Sequence, residues 1–332
     1  AFTGDFIFAG DVGRPDLLER AAGIAGTMEA GARQLFASLQ SFGVQPDRLL
    51  LWPGHGAGSA CGKKLGGMPV TTLGYERLAN WAFLVKDERE FVEKVLQDQP
   101  DPPRYFAEMK RVNKIGAGAV PAEPAHLDPD GVEASVASRT TQVVDLRPAA
   151  EFAAGFIPGT ISLPLDKSFL NWAGALLESK EGLCLIGGEA AVREAARTLS
   201  LIGLDRVTGW FSPTVLDRWR SKHGRLAVID QVDVPQLAAR RKNGETVLDV
   251  RSITEFRAGH IPGAIHVPLG RVPEAAARLA KTSAIVVHCQ GGVRSPIALS
   301  VLRRIGFSKV ANLTGGFLDY QRQGRPVETG GA

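Results

Sequence analysis

VLDVRSITEFRAGHIPGAIHVPL, residues 247–269, repeats a pattern from earlier in the chain and decides the fold of the larger part of the sequence. The first copy, VVDLRPAAEFAAGFIPGTISLPL at residues 143–165, matches it at 13 of 23 positions with an offset of 104 residues. Each copy predicts a β-branched strand, a short helix and an Ile-Pro-Gly turn, followed by another apolar strand and helix. Alternating strands and helices form parallel sheets with both faces covered. We therefore predict two α/β domains, residues 125–222 and 228–328.

Composition limits the class of protein. The 332 residues are 22% charged and 44% hydrophobic, which is ordinary for a globular chain. The net charge is only +4 and no basic block contains interleaved aromatic residues, so we expect no nucleic-acid partner. No apolar run approaches the ~20 residues that span a bilayer, and three cysteines are too few for a disulfide framework. We expect a cytoplasmic protein without a membrane partner. The chain opens on a strand-like run without Met, which we interpret as a start inside a domain, with any targeting segment upstream.

In IVVHCQGGVRSPIAL, residues 285–299, an apolar strand ends at Cys289 and a helix is predicted to begin near Arg294. Cysteine is a useful nucleophile as the thiolate, which a helix N-terminus or a nearby cation stabilises. Gly291 and Gly292 allow consecutive backbone N–H groups to turn inward and form an anion-binding nest. Open α/β sheets place their active sites at the carboxyl ends of parallel strands. Cys289 is therefore predicted to be a nucleophile rather than a core residue.

This loop, together with DVRSITEFRAGHIPGAIHVPL and ANLTGGFLDYQRQGRPVE, resembles a single-domain rhodanese along its full length. The resemblance implies that Cys289 accepts a sulfane sulfur as a persulfide and passes it to an acceptor. Arg294 would hold a thiosulfonate or stabilise charge on the transferred sulfur. The implied donors are small-molecule persulfides or thiosulfate, and the implied acceptor is glutathione or another low-molecular-weight thiol. The implied substrate-binding residues are Gln290, Gly291, Gly292, Val293 and Ser295.

Phosphoester or arsenate chemistry on the related phosphatase scaffold is the alternative. The loop of those enzymes has the form Cys-x5-Arg, in which five residues separate the cysteine from the arginine and a tetrahedral oxyanion fits. In this sequence only four residues separate Cys289 from Arg294. The length of the loop favours sulfur over phosphorus.

The first copy lacks both the nucleophile and the cation. Alignment of the helices that follow places Ile186 opposite Cys289 and Ala191 opposite Arg294. Cys184 lies inside the apolar strand, where alternation and burial predict a core residue. We predict that the first copy is a noncatalytic rhodanese-like domain that packs against, spaces or positions its neighbours.

Several polar residues of the second copy are predicted to stabilise the fold rather than to react. Asp249, Arg251 and Glu255 have identical counterparts in the first copy. That copy lacks a counterpart of residues 289–294, which we call the reactive loop. We therefore interpret them as residues that form buried ion pairs. His260 and His266 are interpreted in the same way.

Residues 1–118 form a third predicted unit. Its stretches AFTGDFIFAGDVGRPDLL and LLLWPGHGAGSACGKKLGG resemble the second half of the metallo-β-lactamase (αββα) fold, most closely the persulfide dioxygenase branch that is fused to rhodanese domains. The resemblance implies that Asp5 is a metal ligand alongside two upstream histidines that this sequence lacks. His55 either lies at the metal or caps a turn. Cys61 is a candidate sulfur relay or an unremarkable loop cysteine, and the charges of GDVGRPD either pair internally or touch substrate.

Fe(II) is the metal that this resemblance implies for a full-length protein, with zinc as the alternative. Such a site needs three or more protein ligands, so we expect no cofactor to bind tightly to this chain. The leading hypothesis is a rhodanese-type sulfurtransferase coupled to a non-haem iron persulfide dioxygenase in sulfide detoxification. The alternative is a dinuclear zinc thioester hydrolase, similar to hydroxyacylglutathione hydrolase, with noncatalytic rhodanese-like binding modules. Homo-oligomers are compatible with both hypotheses.

Overall fold

The structure is a computed structural model that describes residues 1–20, 23–56, 67–97, 99 and 102–331. The chain forms two compact units, Ala1–Gly116 and Ala117–Ala332. Among the described residues, no helix is long and apolar enough to cross a membrane.

The amino-terminal unit combines a small mixed sheet with helices that cover it. Strands β1, β4 and β5 form this sheet in that order, with β1 parallel and β5 antiparallel to β4, while β2 and β3 form an antiparallel ribbon. Side chains of the strands and of the long helix α2 share one apolar core with Phe91 of α5. The strands are β1 (Phe2–Gly4), β2 (Ile7–Phe8), β3 (Asp11–Val12), β4 (Leu50–Pro53) and β5 (Thr71–Thr72). The helices are α1 (Leu17–Arg20), α2 (Thr27–Phe42), α3 (Leu73–Ala79), α4 (Trp81–Leu84), α5 (Glu88–Leu96) and α6 (Tyr105–Ile115).

The first repeat is a five-stranded parallel sheet in the order β6-β10-β9-β7-β8. Its central strand β9 is buried at every residue, which is the pattern of a parallel strand covered on both faces. The strands are β6 (Ala125–His126), β7 (Thr141–Asp145), β8 (Ile161–Ser162), β9 (Gly182–Ile186) and β10 (Val207–Phe211). The helices are α7 (Val132–Ala137), α8 (Ala149–Ala154), α9 (Phe169–Leu176), α10 (Glu189–Ser200) and α11 (Val215–His223).

The second repeat has the same topology, β11-β15-β14-β12-β13, again with every strand parallel. The predicted α/β class with parallel sheets is thus confirmed for both copies. The strands are β11 (Asp230–Val232), β12 (Thr246–Asp249), β13 (Ile265–His266), β14 (Ile285–His288) and β15 (Val310–Leu313). The helices are α12 (Val234–Lys242), α13 (Ile253–Ala258), α14 (Val272–Ala276), α15 (Arg294–Arg304) and α16 (Gly316–Arg322).

Helix α15 joins the two repeats, because its residues from 295 to 302 are all buried and it packs against β8 and α8 of the first repeat. The Ser162 N–H donates to Ser300 Oγ at 3.0 Å. Arg304 donates to the backbone carbonyls of Thr141 and Gly159 at 3.1 and 3.0 Å. Each of these hydrogen bonds crosses between the repeats, and a typical one contributes ~1 kcal/mol. The helix that follows the reactive loop is therefore held from both sides.

Candidate functional site

Cys289 follows the last residue of β14, at the carboxyl end of the parallel sheet, and is 1% exposed. Its carbonyl accepts a hydrogen bond from the Phe317 N–H at 2.8 Å, at the start of α16. This close approach requires glycine at position 316, where φ is +60° and a Cβ would lie 2.4 Å from the Cys289 carbonyl oxygen. The LTGGF stretch, residues 313–317, thus holds the backbone of the reactive loop in place at Cys289.

The loop presents hydrogen-bond donors to the sulfur. The Gly292 N–H donates to Cys289 Sγ at 3.1 Å, and Ser295 Oγ lies 3.5 Å from the same atom. Gly292 has φ +97°, a conformation that residues with a side chain rarely adopt. In this conformation the Gly292 N–H points at the sulfur of Cys289. Ser295 is buried, whereas Gly291 and Val293 are exposed. An anionic sulfur in this loop would therefore be stabilised by a backbone N–H at the beginning of α15.

Arg294 is paired with an acidic residue of helix α13. Its two terminal nitrogens donate to the two carboxylate oxygens of Glu255, each at 2.7 Å. Burial by itself would raise the pKa of Glu255, but hydrogen bonds from Arg294 and from Ser252 outweigh burial and lower the pKa to about 2. The same pair raises the pKa of Arg294. Both groups are ionised, so the cation beside Cys289 is largely neutralised by its partner.

Glu255 forms an ion pair, as predicted, but this pair is only partly buried. Its side chain is 32% exposed and is bonded to Arg294 at the end of the reactive loop. Its position follows from a capping box, in which the Ser252 and Glu255 side chains each bond the other residue's backbone N–H at the start of α13. The Ser-x-x-Glu pattern in the sequence indicates the capping box. No local pattern indicates that Glu255 pairs with Arg294, 39 residues away.

The predicted ion pair of Asp249 and Arg251 is confirmed, with both side chains at most 1% exposed and 2.6 Å apart. Arg251 does more than stabilise the fold, because it also donates to Gln290 Oε1 at 2.9 Å. Its guanidinium lies 4.0 Å from the ring centroid of Phe317. This arginine therefore connects the sheet to both segments that hold the reactive cysteine.

His288, which sequence reasoning did not single out, is fully buried directly before the cysteine. Burial lowers the pKa of His288 to about 4, and this outweighs the attraction of Asp249, whose charge Arg251 already offsets. The 3.5 Å approach of His288 Nε2 to Asp249 is therefore a contact of a neutral imidazole rather than an ion pair. A buried neutral histidine here fills the core behind the loop.

The strand register corrects the sequence alignment of the first repeat by one residue. The Asp of each Asp-x-Arg motif lies opposite Ile186 in the first repeat and opposite His288 in the second, so Gly187, not Ile186, corresponds to Cys289. Two residues connect β9 to α10, whereas five connect β14 to α15. An alignment without gaps could not show this shortening. The first repeat thus lacks the loop as well as the nucleophile.

Cys184 is a core residue, as predicted. It lies within the fully buried strand β9 and is 3% exposed. Burial raises the pKa of its thiol, which disfavours the reactive thiolate.

In the amino-terminal unit the two predicted metal-associated residues lie together. His55 Nε2 is 3.0 Å from Asp5 Oδ1. These are nitrogen and oxygen donors of the kind that iron and zinc accept, but a protein site needs three or more. Among the described residues there is no group of three His, Cys, Asp or Glu side chains that could hold a metal ion. The described residues therefore supply part of a ligand set and do not form a site by themselves.

Two of the three charges of the GDVGRPD loop pair internally, one of the two predicted alternatives. Arg14 and Asp16 form a buried ion pair at 2.6 Å. Asp11 Oδ1 accepts a hydrogen bond from Trp81 Nε1 at 2.9 Å. Cys61, the candidate sulfur relay, lies outside the described residues.

Comparison with known proteins agrees with this architecture. Residues 233–323 match the rhodanese-like domain family. The chain is 31% identical over 102 residues to a sulfurtransferase of Allochromatium vinosum, covering 30% of this chain and 95% of that protein. It is 35% identical over 112 residues to thiosulfate sulfurtransferase 18 of Arabidopsis thaliana, covering 30% of this chain and 82% of that protein.

A solved metallo-β-lactamase structure from Staphylococcus aureus is 43% identical, with a TM-score of 0.57, and the match covers 64% of this chain and 59% of that one. Because 64% of this chain is more than the 116 residues of the amino-terminal unit, the similarity extends into the repeats. The chain spans only 40% and 46% of two further curated relatives, from Bacillus subtilis and Mycobacterium tuberculosis. Part of a metallo-β-lactamase fold thus precedes the two repeats, and the chain belongs to the rhodanese family.

Proposed function

We propose that the second repeat is a sulfurtransferase in which Cys289 carries sulfane sulfur as a persulfide. The observation that carries this proposal is the 3.1 Å hydrogen bond from the Gly292 N–H to Cys289 Sγ, within a loop that lies at a helix N-terminus. This donor would stabilise the thiolate before the reaction and the terminal sulfur after it. The sulfurtransferase relatives support the same chemistry.

Transfer takes two displacement steps. In the first, the Cys289 thiolate attacks the terminal sulfur of a persulfide, a new S–S bond forms, and the donor thiolate leaves with the electron pair of the broken S–S bond. With thiosulfate the leaving group is sulfite. In the second step an acceptor thiolate attacks the terminal sulfur on Cys289, which returns the cysteine to its thiolate form. No oxidant or metal is needed for either step.

Among donors, we propose that persulfides, which bring a single negative charge to the reacting sulfur, are preferred to thiosulfate, which is a compact dianion. Arg294 would be the cation that attracts a second negative charge, but Glu255 holds both of its terminal nitrogens. The same occupation disfavours phosphoester chemistry, which requires an arginine free to bind a tetrahedral dianion. A low-molecular-weight thiol is the proposed acceptor.

We further propose that the amino-terminal unit derives from a persulfide dioxygenase, with Asp5 and His55 as two donors to an Fe(II) centre. The adjacency of these side chains and the metallo-β-lactamase relative support this assignment. The two displacement steps need no metal, so they are assigned to Cys289. Iron would supply activation of dioxygen when bound in a complete site.

The test is mass spectrometry of the whole chain and its peptides after brief incubation with glutathione persulfide or thiosulfate. We expect one extra sulfur atom on the peptide that contains Cys289, removable by reductant. Cys289→Ser should lose the adduct, and the buried Cys184 serves as an internal control in the same digest. Absence of an adduct on Cys289 with either donor would refute the sulfurtransferase assignment.

A further inference from the structure

A cleft of about 560 Å³ lies between the two repeats beside the reactive loop. Small-molecule sites have volumes of ~300–1,000 Å³. The second repeat contributes Gly292, whose N–H bonds the reactive sulfur, and Pro296 in the first turn of α15. The cleft is therefore continuous with the loop that would carry the persulfide.

The opposite wall comes from the first repeat. Helix α8 presents four small side chains to the cleft, and these are Ala149, Ala150, Ala153 and Ala154. These alanines hold the wall back from the loop, and Ala150 is exposed. The repeat that lacks a nucleophile thus supplies an apolar face opposite the one that has it.

The far side of the cleft is polar but uncharged. Gln231 Oε1 accepts hydrogen bonds from Asn312 Nδ2 at 2.8 Å and from Thr314 Oγ1 at 3.3 Å. Asn312 is 6% exposed, and its Oδ1 has no hydrogen-bond partner in the part of the chain that the structure describes. Such a buried acceptor is costly unless a donor approaches it. No residue that lines the cleft in this described part carries a charge.

We propose that this cleft is the acceptor site, and that it selects thiols whose body is uncharged and bears amide groups. Apolar parts of such a thiol would pack against the alanine face, while its amide N–H and C=O groups would meet Gln231, Asn312 and Thr314. A carboxylate in the cleft would lose solvation without gaining a cation, which is unfavourable. The first repeat is then the specificity wall of the active site. This inference rests on the proposed function, because it needs a persulfide on Cys289.

The experiment compares two probe thiols of nearly equal shape, N-acetylcysteine amide and N-acetylcysteine, as acceptors from the preloaded Cys289 persulfide. Rates are corrected to equal thiolate concentration, and loading is measured separately by mass. We expect the amide to discharge the persulfide several-fold faster. Ala150→Lys should reduce the amide-to-carboxylate rate ratio about fivefold, the factor expected for ~1 kcal/mol between unit charges about 4 Å apart in water.

Ala190→Lys is the matched control, since Ala190 is an exposed residue of α10 that does not line the cleft. Its ratio should equal that of the unchanged chain. If Ala150→Lys and Ala190→Lys gave the same ratio, or if the unchanged chain preferred the carboxylate, the acceptor-site proposal would be wrong even though loading occurred. Failure to load Cys289 would instead refute the proposed function. The readout is a ratio within one protein, so a general loss of activity does not mimic the expected result.

Discussion

Replacement of Glu255 by Gln tests whether the partner of Arg294 sets the charge preference for the sulfur donor. Glutamine retains the shape of the side chain and its role in the capping box, because Gln serves at that position as well as Glu does. It removes the negative charge that now holds both terminal nitrogens of Arg294 at 2.7 Å. We expect the arginine to become available to a dianionic donor.

The size of the effect follows from what Arg294 would gain. A hydrogen bond to a charged group contributes ~1.5–3 kcal/mol when it is well shielded from water. Arg294 and Glu255 are 20% and 32% exposed, so solvent screening reduces this figure to ~1.4 kcal/mol, which is about tenfold in an equilibrium or rate ratio. We therefore expect kcat/KM for thiosulfate to rise about tenfold in Glu255→Gln. The value for glutathione persulfide should change by less than about threefold, since that donor brings a single charge to the sulfur.

The assay is steady-state sulfur transfer from each donor to one fixed acceptor, run for the unchanged chain and for the variant. Glu151→Gln is the matched control, because Glu151 is the exposed counterpart of Glu255 in the repeat without a reactive loop. With a pKa of about 2, Glu255 stays ionised throughout the neutral range, so the donor preference should not vary with pH there for this reason. Unchanged thiosulfate kinetics in Glu255→Gln, or an equal loss with both donors, would refute the reasoning that Glu255 masks Arg294.

Two further predictions concern the interior and the loop. Because the folded-state pKa of His288 is lowered from 6.5 to about 4, the unfolded chain takes up a proton first as the pH falls. The free energy of unfolding should therefore decrease as the pH falls from 6.5 to 4. His288→Gln should flatten this part of the pH profile measured by urea unfolding, and an unchanged slope would contradict a buried neutral histidine. Gly292→Ala should destabilise the chain by ~1–2 kcal/mol because its φ is positive. Gly291→Ala should cost less than ~0.5 kcal/mol, since its Cβ would make an ordinary 3.6 Å contact with Leu318. Equal losses of stability in the two glycine variants would contradict the assigned backbone conformation.

The fold of the two repeats was predictable because the signals that specify it are local and occur twice. Buried parallel strands are continuous apolar runs, and the motif residues recur at a constant offset. The packing of α15 against the first repeat as well as the second was not predictable. Its burial depends on contacts such as that of Arg304 with the Thr141 carbonyl, 163 residues away, and no pattern within either repeat records such a contact.

For the candidate site, the sequence predicted Cys289 at the end of the strand and the glycines of the loop, but not the partner of Arg294. The spacing from Cys289 to Arg294 is a local property, whereas the direction of the arginine side chain depends on Glu255 from another helix. The alignment error at Ile186 has a similar cause. A shortened loop changes the correspondence between a strand and the following helix, and only the pairing register of the strand reveals where the change lies.

The first repeat shows which contacts of the shared motif belong to the fold and which to the site. Arg147 pairs with Asp145 at 2.7 Å and donates to the Gly155 carbonyl, and Arg251 makes the equivalent two contacts in the second repeat. These contacts persist where no reactive loop exists, so they stabilise the fold. Among the residues that the structure describes, Arg251 alone of the two has a third side-chain hydrogen bond, to Gln290. Arg147 remains 15% exposed on its side chain while Arg251 is 1% exposed, because the longer loop of the second repeat covers the guanidinium. The ion pair is thus the same in both repeats, and the longer loop of the second repeat adds the contact that connects Arg251 to the candidate site.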